Sequence, residues 1–393
     1  MKTLLCIDGN SILNRAFYGI RPLTTKDGTP TNALYGMINI FTKHIEDYKP
    51  DFAAVAFDLK APTFRHKMYD EYKAGRHAMP EELAAQMPIA KQIVPMLGMH
   101  VLQLEGYEAD DILGTLAAMA RAYSEDCRAL VLTGDRDSLQ LVTEKSHVLF
   151  TESGISKTVE YTPDLVKEKH GVTPAQIPDL KGLMGDSSDN IPGVPGVGKV
   201  TAVKLISEYG SVEAALDAAD TQLKGKLRER MLDGRQSALM SKKIATITRS
   251  VPIDTLPQDC PVTHLMDGAP VLEGLELKSL LPRLRELSEQ ENDEDTPVQG
   301  AAPALVFSEP VTLLSREDAD AFLAARAEDA LVAVLAGMDF SLACSDGACA
   351  RIEIAQDLLT AGCDPSQAAA MLASLWTGKR PIVFFDAKKM LHR

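Results

Sequence analysis

Short apolar runs that end in a carboxylate recur along the N-terminal region. Leu4-Leu5-Cys6-Ile7 stops at Asp8, and the Ala/Val-rich run from Phe52 to Phe57 stops at Asp58. Leu130-Val131-Leu132 passes through Thr133-Gly134 to Asp135 and Asp137, and Val101-Leu102 leads to Glu108, Asp110 and Asp111. The last three acids open a segment in which Ile112, Leu113, Leu116, Ala117 and Ala120 share one helical face. Apolar runs alternating with helical patterns predict an α/β fold with a parallel sheet covered on both faces. Ligands of such sheets bind beyond the carboxyl ends of the strands, so the acids are expected to meet at one edge.

Meeting there would set their chemistry. Crowded carboxylates raise one another's pKa values unless a cation lies between them. No His or Cys has metal-ligand spacing, and oxygen-only ligands suit Mg²⁺ or Mn²⁺. Two such ions roughly 3.5–4 Å apart can activate water and stabilise the leaving oxygen of a phosphodiester. Any one of these acids alone reads as a helix cap or a strand-end turn; their repetition at strand ends reads as a site.

A second pattern follows. The stretch from Gly182 to Lys204 carries Asp186 and Asp189 directly before a Gly/Pro turn, and the turn feeds a helical pattern. Gly193, Gly196 and Gly198 allow positive φ and close approach to a ligand, and amides at the start of the next helix favour an anion. Lys199 and Lys204 add positive charge. Gly193 to Lys199 also has the G-x-x-x-x-G-K spacing of a nucleotide-binding P-loop. Val200 stands where that motif needs Ser or Thr, and turn-forming residues precede the loop in place of a strand. ATP binding is therefore set aside.

Composition adds bounds. The chain has 393 residues, 45% of them apolar, and a net charge of −14, enough for two or three domains. More than half of the excess acid falls after residue 290, and the basic residues gather at 65–76 and 224–243. That predicts local, salt-sensitive nucleic-acid binding. The six cysteines form no C-x-x-C pair, which fits free thiols in a reducing cytoplasm. Asp8 ends the first apolar run too early for a signal peptide, and no stretch has transmembrane length.

At these motifs the chain resembles the flap endonuclease family, in the form of the 5′-nuclease domain carried by bacterial DNA polymerase I. The resemblance rests on Ile7-Asp8-Gly9, Phe57-Asp58, Tyr107-Glu108-Ala109-Asp110-Asp111, Thr133-Gly134-Asp135-Arg136-Asp137 with Gln140-Leu141, and the stretch from Gly185 to Lys199. It covers residues 1–290. It implies that Asp8, Asp58, Glu108 and Asp110 or Asp111 hold one metal ion. Asp135, Asp137, Asp186 and Asp189 would hold a second, with K⁺ a candidate at the hairpin. It also places residues 64–76 at the base of a helical arch that passes a single strand. Lys73 and Arg76 would then meet the scissile phosphate, with Arg15 and Tyr72 nearby. Read without the family, Tyr69 and Tyr72 among cations suit base stacking and phosphate contact.

The expected organisation is a nuclease core over 1–175, a helical DNA-binding region of helix-hairpin-helix type over 176–290, an acidic, Pro-containing linker over 291–304, and a partial α/β unit over 305–393. By position the last resembles a 3′-5′ exonuclease domain. The expected metal ligands of that domain fall on Leu335, Gly337 and Met390, so it reads as inactive. The expected function is 5′-3′ exonuclease and 5′-flap cleavage in replication and repair, by a monomer acting on flaps, nicks or RNA-primer ends. A polymerase domain would follow in a longer protein. The competing readings are a non-catalytic module that positions a polymerase, and a toxin-like ribonuclease. Complete carboxylates argue against the first, and the hairpin after Asp189 against the second.

Overall fold

Six strands form the sheet that the apolar runs predict: β1 (Lys2–Asp8), β2 (Phe52–Ala56), β3 (His100–Leu102), β4 (Cys127–Thr133), β5 (Ser146–Ser153) and β6 (Lys157–Tyr161). Their order is β3-β2-β1-β4-β5-β6, parallel except for β6, which pairs antiparallel with β5 at one edge. The computed structural model describes residues 2–293 apart from 77, 124–125 and 154–156. Further on it describes residues 310–325, 332–336, 340–344, 348–352, 364, 366–367 and 382–385. The chain divides into two units, Met1–Asp295 and Thr296–Arg393.

The continuous apolar runs follow from burial on both faces. Leu4 and Cys6 of β1, Ala54 and Ala56 of β2 and Val131 of β4 share a core with Ile112 and Leu116 of a helix on one face. Leu5, Ile7, Ala53, Val55, Leu130 and Leu132 turn to the other face. Successive side chains point to opposite sides of a strand, so each run must be apolar throughout.

The helices are α1 (Gly9–Gly19), α2 (Asn32–Tyr48), α3 (Phe64–Met68), α4 (Glu81–Met96), α5 (Ala109–Tyr123), α6 (Pro163–His170), α7 (Ile177–Met184), α8 (Lys199–Tyr209), α9 (Val212–Thr221), α10 (Gly225–Asp233), α11 (Arg235–Ala245), α12 (Ala269–Gly274) and α13 (Leu281–Asp293). Residues of α5 cover one face of the sheet, and residues of α1, α2 and α4 the other. α7 to α11 extend the first core, and α8 ends at Gly210 with φ 87°. Thr31 makes no side-chain cap at the start of α2. The fully buried Gln86 of α4 instead accepts the amides of Ala33 at 2.8 Å and Leu34 at 3.2 Å, so amides left open by the first turn are satisfied from a neighbouring helix.

The second unit holds a mixed sheet ordered β11-β8-β9-β10-β7. Its strands are β7 (Val311–Leu313), β8 (Val332–Ala336), β9 (Phe340–Cys344), β10 (Cys349–Ile352) and β11 (Ile382–Phe385), and it carries α14 (Arg316–Ala324). Leu335 lies in β8; Gly337 and Met390 lie outside the described residues. Cys6, Cys127 and Cys260 are free thiols, and no helix among the described residues is long and apolar enough to cross a membrane.

Candidate metal centre and nucleic-acid interface

Strand order reverses beside β1, and a crevice opens there at the carboxyl ends of β1 and β4. Asp8 ends β1 and caps α1, accepting the Ser11 amide at 2.9 Å and the Thr133 hydroxyl at 2.9 Å. Asp58 follows β2. Its Oδ1 accepts the Ala109 amide at the start of α5 at 2.8 Å, and its own amide donates to Asn10 Oδ1 at 2.9 Å. Asp110, in the first turn of α5, accepts the Ser138 hydroxyl at 3.2 Å. Asp135 follows β4 and accepts the Asp137 amide at 2.8 Å. Asp8, Asp58, Glu108, Asp110 and Asp135 line one cavity of about 610 Å³, together with Lys73, Arg76, Arg15 and Tyr18.

The eight acids that gather here are of two kinds. Among the described residues, Asp8, Asp58, Asp110 and Asp135 form no ion pair with a protein cation. Burial pushes the Asp8 carboxyl up to about 7, and Asp58 and Asp135 repel in the same direction. Burial raises Asp110 well above the usual range, helped by Asp135, Asp8, Asp137 and Asp58. Burial also raises Asp58. The remaining four are compensated from within. Lys181 of α7 bridges Asp137 and Asp186. Arg76 pairs with Asp189. Glu108 takes the Lys73 ammonium at 2.8 Å and the Tyr72 hydroxyl at 3.1 Å. This sorting crosses the two ligand sets that the resemblance implies, since Asp135 joins Asp8 and Glu108 joins Asp189. No three acids among the described residues stand at a common ligand distance.

Asp111 is a correction. It is fully buried, turned away from the cavity, and held by Arg65 at 2.6 and 2.8 Å. It also accepts the amides of Glu108 at 3.1 Å and Thr248 at 2.9 Å. All of its lone pairs serve the fold. Two readings of the 64–76 stretch change with it. Arg65 is 3% exposed and bound to Asp111, and Tyr72 is 5% exposed with its hydroxyl between Glu108 and Asp189. Neither can meet a passing strand as they stand. Lys73 and Arg76 do line the cavity. The Lys73 amide donates to the Asp189 carbonyl at 2.9 Å and Asn190 Nδ2 donates to the Glu71 carbonyl at 2.8 Å. The base of the expected arch is thus clipped to the segment before the hairpin. Arg15 reaches the Glu152 carbonyl at 3.4 Å.

The hairpin is corrected at one glycine. Gly193 and Gly196 have φ of 61° and 79°, but Gly198 is extended, with φ −91°, and caps α8 with open space around it. At Gly193 an added Cβ would stand 2.2 Å from the Gly185 amide nitrogen. Its own amide and carbonyl bind Ser241 at 3.0 Å and Ser237 at 2.7 Å. At Gly196 a Cβ would strike the Arg230 guanidinium, which donates to the Gly196 carbonyl at 2.9 Å. Gly198→Ser, which keeps a good helix cap, is therefore expected to leave the urea midpoint unchanged, whereas Gly193→Ala lowers it by a margin equivalent to about 1–3 kcal/mol. Equal midpoints for the two variants would overturn this assignment. Lys199 and Lys204 are both exposed at α8. In the 224–243 region Lys242 is committed to Asp179 at 2.7 Å and Glu213 at 2.8 Å.

Ser11, Thr133, Ser138 and Lys181 escape the sequence reading. Asn10, Asn14 and Tyr18 escape it too, although their four-residue spacing along α1 puts a polar stripe directly after Asp8. That stripe was a usable signal. Lys181 had none, because its place between Asp137 and Asp186 depends on how α7 packs.

The raised carboxyls carry a stability consequence. Burial raises Asp8 to about 7, and raises Asp137 to about 7 even beside Lys181, above the unfolded carboxylate value of about 3.9. The folded state therefore holds these protons more tightly. Their contribution to stability is complete below pH 4 and is lost as pH rises through 7. In EDTA the melting temperature is expected to fall by several degrees between pH 5 and 8. Asp8→Asn combined with Asp110→Asn should flatten the decline. A metal-free melting temperature that is level across this window in the unsubstituted protein would contradict the burial argument.

Two family models match in tandem. The 5′-3′ exonuclease, N-terminal resolvase-like domain covers residues 3–171, and the 5′-3′ exonuclease, C-terminal SAM fold covers residues 172–267. The chain belongs to the 5′-3′ exonuclease family. It is 47% identical to DNA polymerase I of Bacillus subtilis (strain 168) over 253 residues, which is 64% of this chain and 28% of that protein. It is 37% identical to DNA polymerase I of Mycobacterium tuberculosis (strain ATCC 25618 / H37Rv) over an alignment of 408 residues, covering 99% of this chain and 43% of that protein. The chain thus spans less than half the length of these relatives. Among solved structures, the T5 5′-exonuclease with bound divalent zinc superposes with a TM-score of 0.53 at 20% identity, over 73% of this chain and 99% of that one. At that identity the likeness concerns the fold.

Proposed function

We propose that this chain is a structure-specific 5′-nuclease that hydrolyses DNA or RNA phosphodiesters where a 5′ single strand meets a duplex. The carrying observation is the cavity at the β1/β4 crevice, where buried carboxyls without a protein counter-ion face Lys73 and Arg76. Buried anions left unpaired in this way are costly, and hard divalent cations with oxygen ligands fit the donor set. Asp8, Asp58, Asp110 and Asp135 would hold one Mg²⁺ or Mn²⁺. Asp137, Asp186 and Asp189, with Glu108 at their margin, would hold a second once Lys181 and Arg76 give way. Bound ions of this kind supply an activated water and charge stabilisation at the leaving oxygen. Lys73 and Arg76, released from Glu108 and Asp189, would neutralise the scissile phosphate.

The duplex would lie against the hairpin and the start of α8, where Gly198 leaves the backbone open and Lys199 and Lys204 add charge. A K⁺ ion at the hairpin would have to share the Gly196 carbonyl with Arg230. The proposed division is a nuclease core over 1–175, a DNA-binding region over 176–290, a linker over 291–304 and an inactive exonuclease-like unit over 305–393. Flaps, nicks and RNA-primer ends would be the substrates, cleaved by a monomer in the cytoplasm beside the nucleoid. A polymerase domain would follow in the longer protein.

The test is cleavage of a 5′-flap duplex beside single-stranded and blunt controls, with EDTA and with added Mg²⁺ or Mn²⁺. Cleavage at the flap junction that needs the metal is expected. Activity that survives EDTA, or equal cutting of all three substrates, would refute the proposal.

A further inference from the structure

We infer that the first unit carries a second anion site, away from the carboxylate cavity, that takes a phosphate-class oxyanion. A cavity of about 100 Å³ lies between the later turns of α5, the turn that leads into β5 and the segment after α11. Its lining includes Arg121, Lys145 and Arg249, the hydroxyl residues Thr143 and Ser146, and, among the described residues, no Asp or Glu. In a chain with a net charge of −14, two arginines from separate segments, Arg121 and Arg249, beside a hollow with no carboxylate among the described residues call for an anion.

Ser146 provides an independent sign. It is 5% exposed, and its hydroxyl has no hydrogen-bond partner among the described residues. A buried polar group in that condition costs stability unless something satisfies it. Arg249 adds to the case. Its guanidinium donates to the Gln140 carbonyl at 2.5 Å, but no carboxylate among the described residues pairs with it. Arg249 is exposed overall, but partial desolvation of its guanidinium holds its pKa below the usual value. Arg121 sits in the last turn of α5, where the helix end already favours a cation. That placement accounts for Arg121 alone, not for Arg249 and Ser146 arriving beside it. A tetrahedral oxyanion would take a hydroxyl from Ser146 and charge-assisted hydrogen bonds from the guanidinium groups.

The source of the oxyanion is either a backbone phosphate of bound nucleic acid or a free phosphate. Arg121 lies eleven residues along α5 from Asp110, about 16 Å at the helical rise. That is some five base steps of duplex, so a bound strand can span the two sites.

The experiment uses the full chain, with Arg121→Ala and the double change Arg121→Ala/Arg249→Gln. Calorimetry with inorganic phosphate comes first, followed by flap-DNA binding in Ca²⁺ across a salt series. One phosphate per chain is expected, with affinity lowered at least tenfold in the double variant and less in Arg121→Ala. A drop of about one in the salt slope of DNA binding would assign the site to the nucleic-acid backbone. An unchanged slope with phosphate binding still lost would assign it to a free anion. If the unsubstituted chain binds no phosphate, or both variants bind it equally well, the inference is wrong whatever the DNA arm shows. Arg121 is exposed, so its single variant keeps the test valid if loss of Arg249 disturbs folding.

Discussion

Asp110→Ala is expected to lower flap cleavage by about a thousandfold or more while leaving flap binding in Ca²⁺ nearly intact. Its carboxyl lies where the repulsion of Asp8, Asp58, Asp135 and Asp137 converges, which is where a divalent ion has most to gain. Charge stabilisation by such an ion is worth several kcal/mol, and each 1.4 kcal/mol is a factor of ten in rate. The phosphate contacts proposed for Lys199 and Lys204 are remote from this change, so affinity should hold. The substitution also removes one of several repelling buried acids, so the metal-free protein should be no less stable. Rates within tenfold of the unsubstituted enzyme would remove Asp110 from the proposed ligands.

Its neighbour is expected to behave in the opposite way. Asp111→Ala leaves the buried Arg65 guanidinium with only Glu108, at 3.4 Å, in place of its bidentate partner; the side chains of the broken pair are 3% and 0% exposed. Breaking a buried ion pair from one side costs about 3–5 kcal/mol, a large part of an ordinary domain's stability. The amides of Glu108 and Thr248 lose an acceptor as well. The urea midpoint should drop sharply, and the cleavage rate per folded molecule in Mg²⁺ should change only a few-fold. Normal stability with lost activity would return Asp111 to the metal ligands. Together the two variants separate chemistry from folding at adjacent positions.

Much of this site is legible in the chain itself. A strand buried on both faces must be apolar along its length, so its first charged residue marks its end. Asp8, Asp58 and Asp135 are visible for that reason, and Asp110 follows from the apolar face of α5 one turn on. The Gly/Pro turn after Asp189 is likewise local chemistry, and Gly193 and Gly196 adopt the conformation that only glycine takes easily. Gly198 does not, because it serves as the first residue of the α8 cap, where extended backbone suffices. Local pattern could not tell a turn glycine from a cap glycine two residues later.

Tertiary structure decides the partners. Asp110 and Asp111 are the same residue type one position apart, but a helix rotates about 100° per residue. One carboxyl therefore faces the crevice, and the other faces Arg65 and the chain after α11. The same packing draws Arg65 and Tyr72 out of the basic, aromatic stretch that seemed suited to a single strand, and it brings Lys181 between Asp137 and Asp186. The sequence by itself determined that carboxylates gather at the strand ends and that a Gly/Pro turn follows Asp189, because strand termini and glycine conformations are local consequences of burial and sterics. Only the tertiary structure decided which of those carboxylates pair with a protein cation and which do not, because that depends on side chains brought together from segments distant along the chain.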